Sequence, residues 1–213
     1  MQLTFRAYRK QDFDMLVGLI RKTWHYDAFS SPKTAAKLAR VFLSSCLANH
    51  TFSRVALRDE KPVGIILGKD IAAYKCPFGA RLKQLWAILS LLLSREGRRV
   101  SKIFGNVSGV DKALLEDCGK AYPAELVLFA VDPACRGEGI GKMLFQSFLD
   151  YMRAQRLKEF YLFTDTSCNY GFYEHQGMTR RQEQTRVFTI NGQPAEMHFF
   201  IYDGHSAPAG AGV

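Results

Sequence analysis

The residues of this chain best suited to chemistry stand together in VDPACRGEGIGKML, residues 131–144. Gly137, Gly139 and Gly141 alternate with Glu138 and Ile140, Arg136 precedes them and Lys142 follows. Glycine at alternate positions clears away side chains, so successive backbone N–H groups can converge on one anion. A helix starting at the end of such a loop adds unpaired amides and a partial positive charge. A pyrophosphate is the natural guest. Spacing excludes two common phosphate loops. A P-loop requires glycine five residues before Gly141, where Arg136 stands, and Ser or Thr at position 143, which is Met143. A dinucleotide fingerprint counted from Gly137 requires a third glycine at Lys142, and counted from Gly139 at Leu144.

Such a loop needs a strand before it and a helix after it. AELVLFAV, residues 124–131, is a continuous apolar run of strand type that ends at Asp132-Pro133, with Glu125 as a charge near its start. Residues 142–155, KMLFQSFLDYMRAQ, have helical apolar spacing. EFYLFTD (159–165) reads as a strand and CNYGFYEHQG (168–177) as a short helix stopped by Gly177. TRVFTI and AEMHFFIY flank Asn191-Gly192, a hairpin signal.

Upstream, residues 3–8 alternate as an edge strand, and residues 10–24 have helical spacing. A second helix begins with Ser31 as N-cap and Pro32 in its first turn. Strands at 52–57 and 62–68 surround a turn at 59–62. Residues 70–120 break this rhythm. They predict two helices, at 81–99 and 109–120, the first carrying the apolar run LWAILSLLL. That run falls short of the roughly 20 residues needed to span a bilayer and predicts a buried or packed amphipathic helix, with an interfacial membrane helix as the alternative.

At 213 residues, 47% of them hydrophobic, the chain fits a single domain over 1–203, followed by a flexible tail at 204–213. Its start lacks the apolar core of a secretory leader. The five cysteines, Cys46, Cys76, Cys118, Cys135 and Cys168, include no CxxC pair. Together these predict a cytoplasmic protein with no membrane span and no metal. The net charge of +9 favours anionic partners such as a nucleotide cofactor, nucleic acid or acidic lipid. There is no basic run of five and no basic patch interleaved with aromatics, so nucleic-acid binding gains little support.

The loop resembles the acetyl-CoA-binding motif of the GNAT superfamily of N-acetyltransferases, [QR]-x-x-G-x-[GA], filled here by Arg136, Gly139 and Gly141. AELVLFAVDP is similar to the central strand of these enzymes. CNYGFYEHQGM is similar to their cofactor-proximal helix through Tyr173, Gly177 and Met178. The resemblance implies an α/β GNAT fold: a central, mixed, mostly antiparallel twisted sheet of six or seven strands flanked by helices, here with a helical insertion around 70–120.

It also implies an acyltransferase that moves an acetyl group from acetyl-CoA to a primary amine of a small molecule or protein, by direct attack. The amides of Arg136, Gly137, Glu138, Gly139, Ile140, Gly141 and Lys142 would hold the pyrophosphate. The backbone of Phe129, Ala130 and Val131 would pair with the pantetheine arm, and an N–H near Leu128 would face the thioester oxygen. Glu125 is the implied general base and Tyr173 the implied general acid, with the Asn169 amide against the pantetheine arm. Direct attack leaves Cys135 and Cys168 no nucleophilic role, and both read as small packed residues. Asp165 and Glu174 are further carboxylates near the site.

The same fold could instead bind acyl-CoA without turnover, as a sensor or interaction module. With the chemistry retained, the basic surface could direct the enzyme to tRNA or ribosomal components. Residues 24–29 (WHYDAF) and the insertion would shape the acceptor end, the insertion by covering that site or by forming a homodimer contact.

Overall fold

A computed structural model describes residues 2–190 and 193–206, with side chains other than those of 103–106, 189–190 and 193. Among these residues one sheet of seven strands runs in the order β1-β2-β3-β4-β5-β7-β6. The strands are β1 (Leu3–Arg6), β2 (Phe52–Arg58), β3 (Lys61–Asp70), β4 (Ala124–Val131), β5 (Glu159–Asp165), β6 (Thr179–Ile190) and β7 (Gln193–His205). Every neighbouring pair is antiparallel except β4 and β5. The sheet is therefore mixed and mostly antiparallel, as expected, with β1 at an edge.

Three apolar clusters cover the sheet. One face carries α5 (Ile140–Ala154) and α6 (Gly171–His175), packed on Phe160, Leu162, Phe200 and Tyr202. On the other face α1 (Phe13–Thr23) and α2 (Pro32–Leu47) cover β2–β4, with Leu16, Ile20, Leu38 and Leu43 fully or almost fully buried. Beside them α4 (Arg95–Asp117) sets Val110 and Leu114 on Tyr161, Phe199 and Ile201. A seam between the α1/α2 half and the α4 half thus runs along β4 and β5.

The insertion forms α3 (Phe78–Leu92) and α4, and the break falls at residues 93–94 rather than between 99 and 109. Ser94 makes the break: its hydroxyl accepts from Gly97 N–H at 3.0 Å and caps α4. Gly97 closes the turn, because a Cβ there would lie 2.0 Å from the Leu91 carbonyl oxygen. Glu96 ties this corner to α2. Its carboxylate accepts from Ser31 N–H (2.7 Å), Ser31 Oγ (2.6 Å) and Thr34 Oγ1 (2.5 Å). The expected N-cap role of Ser31 holds, since its hydroxyl also accepts from Thr34 N–H.

Two other expectations change. LWAILSLLL does not pack throughout: α3 buries Leu91 but leaves Leu85, Trp86 and Leu89 exposed. The expected tail loses its first residues to the sheet, because β7 extends through Gly204 and His205, paired with Phe160 and Glu159. The Asn191-Gly192 turn and residues 207–213 lie outside the described residues.

Candidate active site

Strand β4 pairs with β3 over seven registered positions, from Gly64–Val131 to Asp70–Ala124. With β5 it shares one registered pair, Glu125–Tyr161. Beyond that pair, toward Val131, no further β4–β5 pair is registered among the described residues, which leaves a gap in the pairing in the middle of the sheet.

A bulge accompanies the separation. Leu67 faces Leu128 and Gly68 faces Leu126, so Val127 is the extra residue. Side-chain parity changes there. Ala124 and Leu126 join the α5 cluster, whereas Leu128 and Ala130 join the α1/α2 cluster. Bulges re-aim backbone groups and recur beside active sites. Phe129 and Val131 then return to the α5 side.

The glycine loop lies at the open end of β4. Asp132 N–H donates to Val63 carbonyl and the Asp132 carboxylate accepts from Ala134 N–H, which turns the chain at Pro133. Gly137 (φ 82°) and Gly139 (φ 79°) are left-handed, a conformation costly for other residues. The first intrahelical bond of α5 runs from Met143 N–H to Gly139 carbonyl. The amides of Ile140, Gly141 and Lys142 therefore have no acceptor within the helix. Burial of Ile140, Leu144, Phe145, Phe148 and Met152 fixes the helix and its N-terminal amides. Each such side chain contributes about 1.5–3 kcal/mol when fully buried.

Arg136 and Lys142 are exposed beside these amides. Glu138, a carboxylate in an anion-binding loop, is paired with Arg58 of β2. A coenzyme A pyrophosphate fits these residues: donors converge, Gly137 and Gly139 have open space where a Cβ would stand, and the nearby acid is neutralised.

Ionisable groups gather at the seam on the face opposite α5. Glu125 is 15% exposed and lies 3.9 Å from Lys69 Nζ. Burial raises its pKa, against the Lys69 charge and a hydrogen bond from Tyr161 that lower it. Strand parity puts Tyr161 and Asp165 on this same face, because Phe160 and Leu162 belong to the α5 cluster. Asp111 of α4 joins them. Its carboxyl is pushed up to about 7, by burial first and then by the charges of Asp165 and Glu125. Tyr26, buried between α1 and α2, has its pKa raised by burial and then by Cys46, Cys168 and Asp165. Residues 24–29 thus contribute to this seam.

Tyr173 comes from the other side. It is 9% exposed in the α5 cluster, 6.4 Å from the Phe129 ring, and burial raises its pKa. Glu125 and Tyr173 therefore flank the β4–β5 gap from opposite faces. Asn169 is exposed just before α6, and its carbonyl accepts from Phe172 N–H. Cys135 is buried in the α5 cluster, and burial raises the Cys168 thiol. Glu174 is bound to Arg180 and Tyr202, a structural role away from the gap. Asp165 bonds Ser167 N–H at 2.7 Å and stays partly exposed.

Sequence reasoning missed Asp111. Its only sequence signal is position: it lies four residues after Val107 and three before Leu114, on the sheet-facing stripe of α4. No group of three or more His, Cys, Asp or Glu side chains suited to a metal occurs among the described residues.

The split central sheet, the bulged strand and the anion loop opening a helix stand together at the end of β4. A profile of the Acetyltransferase (GNAT) family matches residues 19–178, and the chain belongs to that family. No curated protein sequence matches. Among solved structures, the ribosomal-protein-S18-alanine N-acetyltransferase from Escherichia coli is similar, with 12% identity and TM-score 0.56. That match covers 100% of this chain and 99% of the other. The PaiA N-acetyltransferase of Thermoplasma acidophilum, in complex with coenzyme A, matches at 16% identity and TM-score 0.51, covering 96% and 99%. SsHAT matches at 14% identity and TM-score 0.63, covering 97% and 100%. At these identities the likeness is one of fold.

Proposed function

We propose that this protein is an acetyl-CoA-dependent N-acetyltransferase acting on a primary amine in the cytoplasm. The observation that carries the reading is the glycine loop with its free first-turn amides at the open end of a β4–β5 gap. Family membership supports acetyl transfer, and the seam carboxylates support a cationic acceptor. Bound acetyl-CoA would supply an acetyl thioester as electrophile.

The amides of residues 136–142, with Arg136 and Lys142, hold the pyrophosphate. Phe129, Ala130 and Val131 offer backbone groups to the pantetheine arm, and Asn169 stands at its outer end. A β4 backbone N–H beside the bulge, near Leu128 and on the β5 side, donates to the carbonyl oxygen as charge develops there. Glu125 accepts the proton lost by the ammonium, directly or through water, and its raised pKa brings it closer to working pH. The amine nitrogen bonds to the acetyl carbon as the carbon–sulfur bond breaks. Tyr173, held protonated by burial, donates its hydroxyl proton to the leaving sulfur. Asp111 and Asp165 add negative charge where the acceptor ammonium enters.

The test is a screen of mono-, di- and polyamines and basic peptides with acetyl-CoA, read by thiol release and by product mass. Acetyl-CoA-dependent acetylation of an amine supports the reading. Tight acetyl-CoA binding with no transfer to any amine would instead favour a non-catalytic sensor.

A further inference from the structure

Helix α3 carries an apolar stripe that the rest of the chain does not cover. Phe78, Leu82, Leu85, Trp86, Leu89 and Leu93 recur at helical spacing, and Phe78, Trp86 and Leu93 are 83%, 64% and 75% exposed. The stripe cannot roll inward, because the opposite side of α3 is fastened to α2. Leu91 is buried there, Gln84 donates to Ser45 Oγ at 3.0 Å, and Lys37 Nζ donates to Ser90 carbonyl at 2.6 Å.

Charge narrows the choice of occupant. Residues 71–95 contain Lys75, Arg81, Lys83 and Arg95 and no Asp or Glu. At about 100° per residue, Arg81 and Lys83 fall on opposite borders of the stripe. Arg98, Arg99 and Lys102 extend the basic surface along α4, and the one acid there, Glu96, is taken up by Ser31 and Thr34. A second copy packed stripe to stripe would bring two basic α3 helices together with no acid on either to offset Arg81 and Lys83. An anionic lipid surface answers both features: the acyl boundary takes the apolar side chains, and the headgroups take the basic borders.

We propose that α3 is a peripheral docking helix for anionic membrane surfaces. Its 15 residues extend about 22 Å, less than a bilayer core of about 30 Å, so it lies in the interface plane. No helix among the described residues is long and apolar enough to cross a membrane.

The experiment is flotation of the full chain with vesicles of phosphatidylcholine and phosphatidylglycerol, three parts to one, against vesicles of phosphatidylcholine alone. Each Lys or Arg near such a surface strengthens binding roughly fivefold, so the anionic vesicles should bind at least about tenfold more tightly, with the preference weakened by salt. Trp86→Glu/Leu89→Glu should abolish flotation with no loss of thermal stability, since both side chains are exposed. Arg81→Glu/Lys83→Glu should remove the anionic preference. A folded wild-type chain that stays unbound at low salt would overturn the proposal. So would a dimer, measured by light scattering, that Trp86→Glu/Leu89→Glu splits, because the stripe would then join two copies.

Discussion

Glu125 and Tyr161 stand opposite each other at the one registered pair between β4 and β5 among the described residues, on the sheet face that α4 shares. The gap opens from this pair, so whatever lies in the gap meets Glu125 at its closed end. The proposed base thus stands on β4 between Tyr161 of β5 and Lys69 of β3, the latter at 3.9 Å. Glu125→Gln keeps the shape and removes the proton acceptor. Steady-state kinetics should show kcat reduced about 10²–10⁴-fold, little change in acetyl-CoA affinity, and loss of the acidic limb of the pH profile. An unchanged kcat would assign proton removal elsewhere.

Asp111 gives a pH-dependent signature. Its folded pKa is raised to about 7 from 3.8, so the fold favours the protonated form. That contribution is full below about 3.8 and is lost as pH rises through about 7. Asp111→Asn should therefore melt at a higher temperature than wild type at pH 8 and at a similar temperature near pH 4. The variant should also raise KM for the amine. Equal melting temperatures at pH 8 would show that Asp111 does not carry a buried charge.

Glu96 behaves in the opposite sense. Hydrogen bonds from Ser31 and Thr34 lower its pKa to about 2 from 4.5. Its contribution is present above about 4.5 and is lost as pH falls toward about 2. Glu96→Gln should lower the melting temperature at pH 7, with a difference that narrows across that acidic window. A difference independent of pH would mean that the carboxylate charge does not hold α4 to α2.

Arg58 neutralises Glu138 in the glycine loop proposed to hold the pyrophosphate. Arg58→Ala frees a carboxylate next to the cosubstrate's negative charge. Acetyl-CoA affinity should fall severalfold, and the double variant Arg58→Ala/Glu138→Gln should recover most of it. Failure of the second change to restore affinity would show that Arg58 acts on the cosubstrate itself.

The chain made its central half legible. AELVLFAV marks β4 at both ends because a strand buried on both faces is a continuous apolar run. The alternating glycines mark the loop because left-handed backbone at residues 137 and 139 favours glycine. Strand β5 is likewise bounded correctly by its apolar run. The Val127 bulge stayed hidden, since one extra residue changes parity without changing composition. Asp111 stayed hidden because periodicity reports which side of α4 faces the sheet, not which strands lie beneath it. The exposed stripe of α3 looked like core for the same reason: an apolar helix face announces burial but not its partner.

The central claim is that the glycine loop binds the cosubstrate's pyrophosphate. Gly141 is the position at which to test it. Its φ is not left-handed, and a Cβ there would lie 3.5 Å from the Phe129 ring, an ordinary contact. Gly141→Glu therefore adds a negative charge beside the free amides without straining the fold. Calorimetric titration with acetyl-CoA should give saturable binding for wild type and none for the variant, with matching thermal stability. Equal binding by both proteins, or no binding by a folded wild type, would contradict the account.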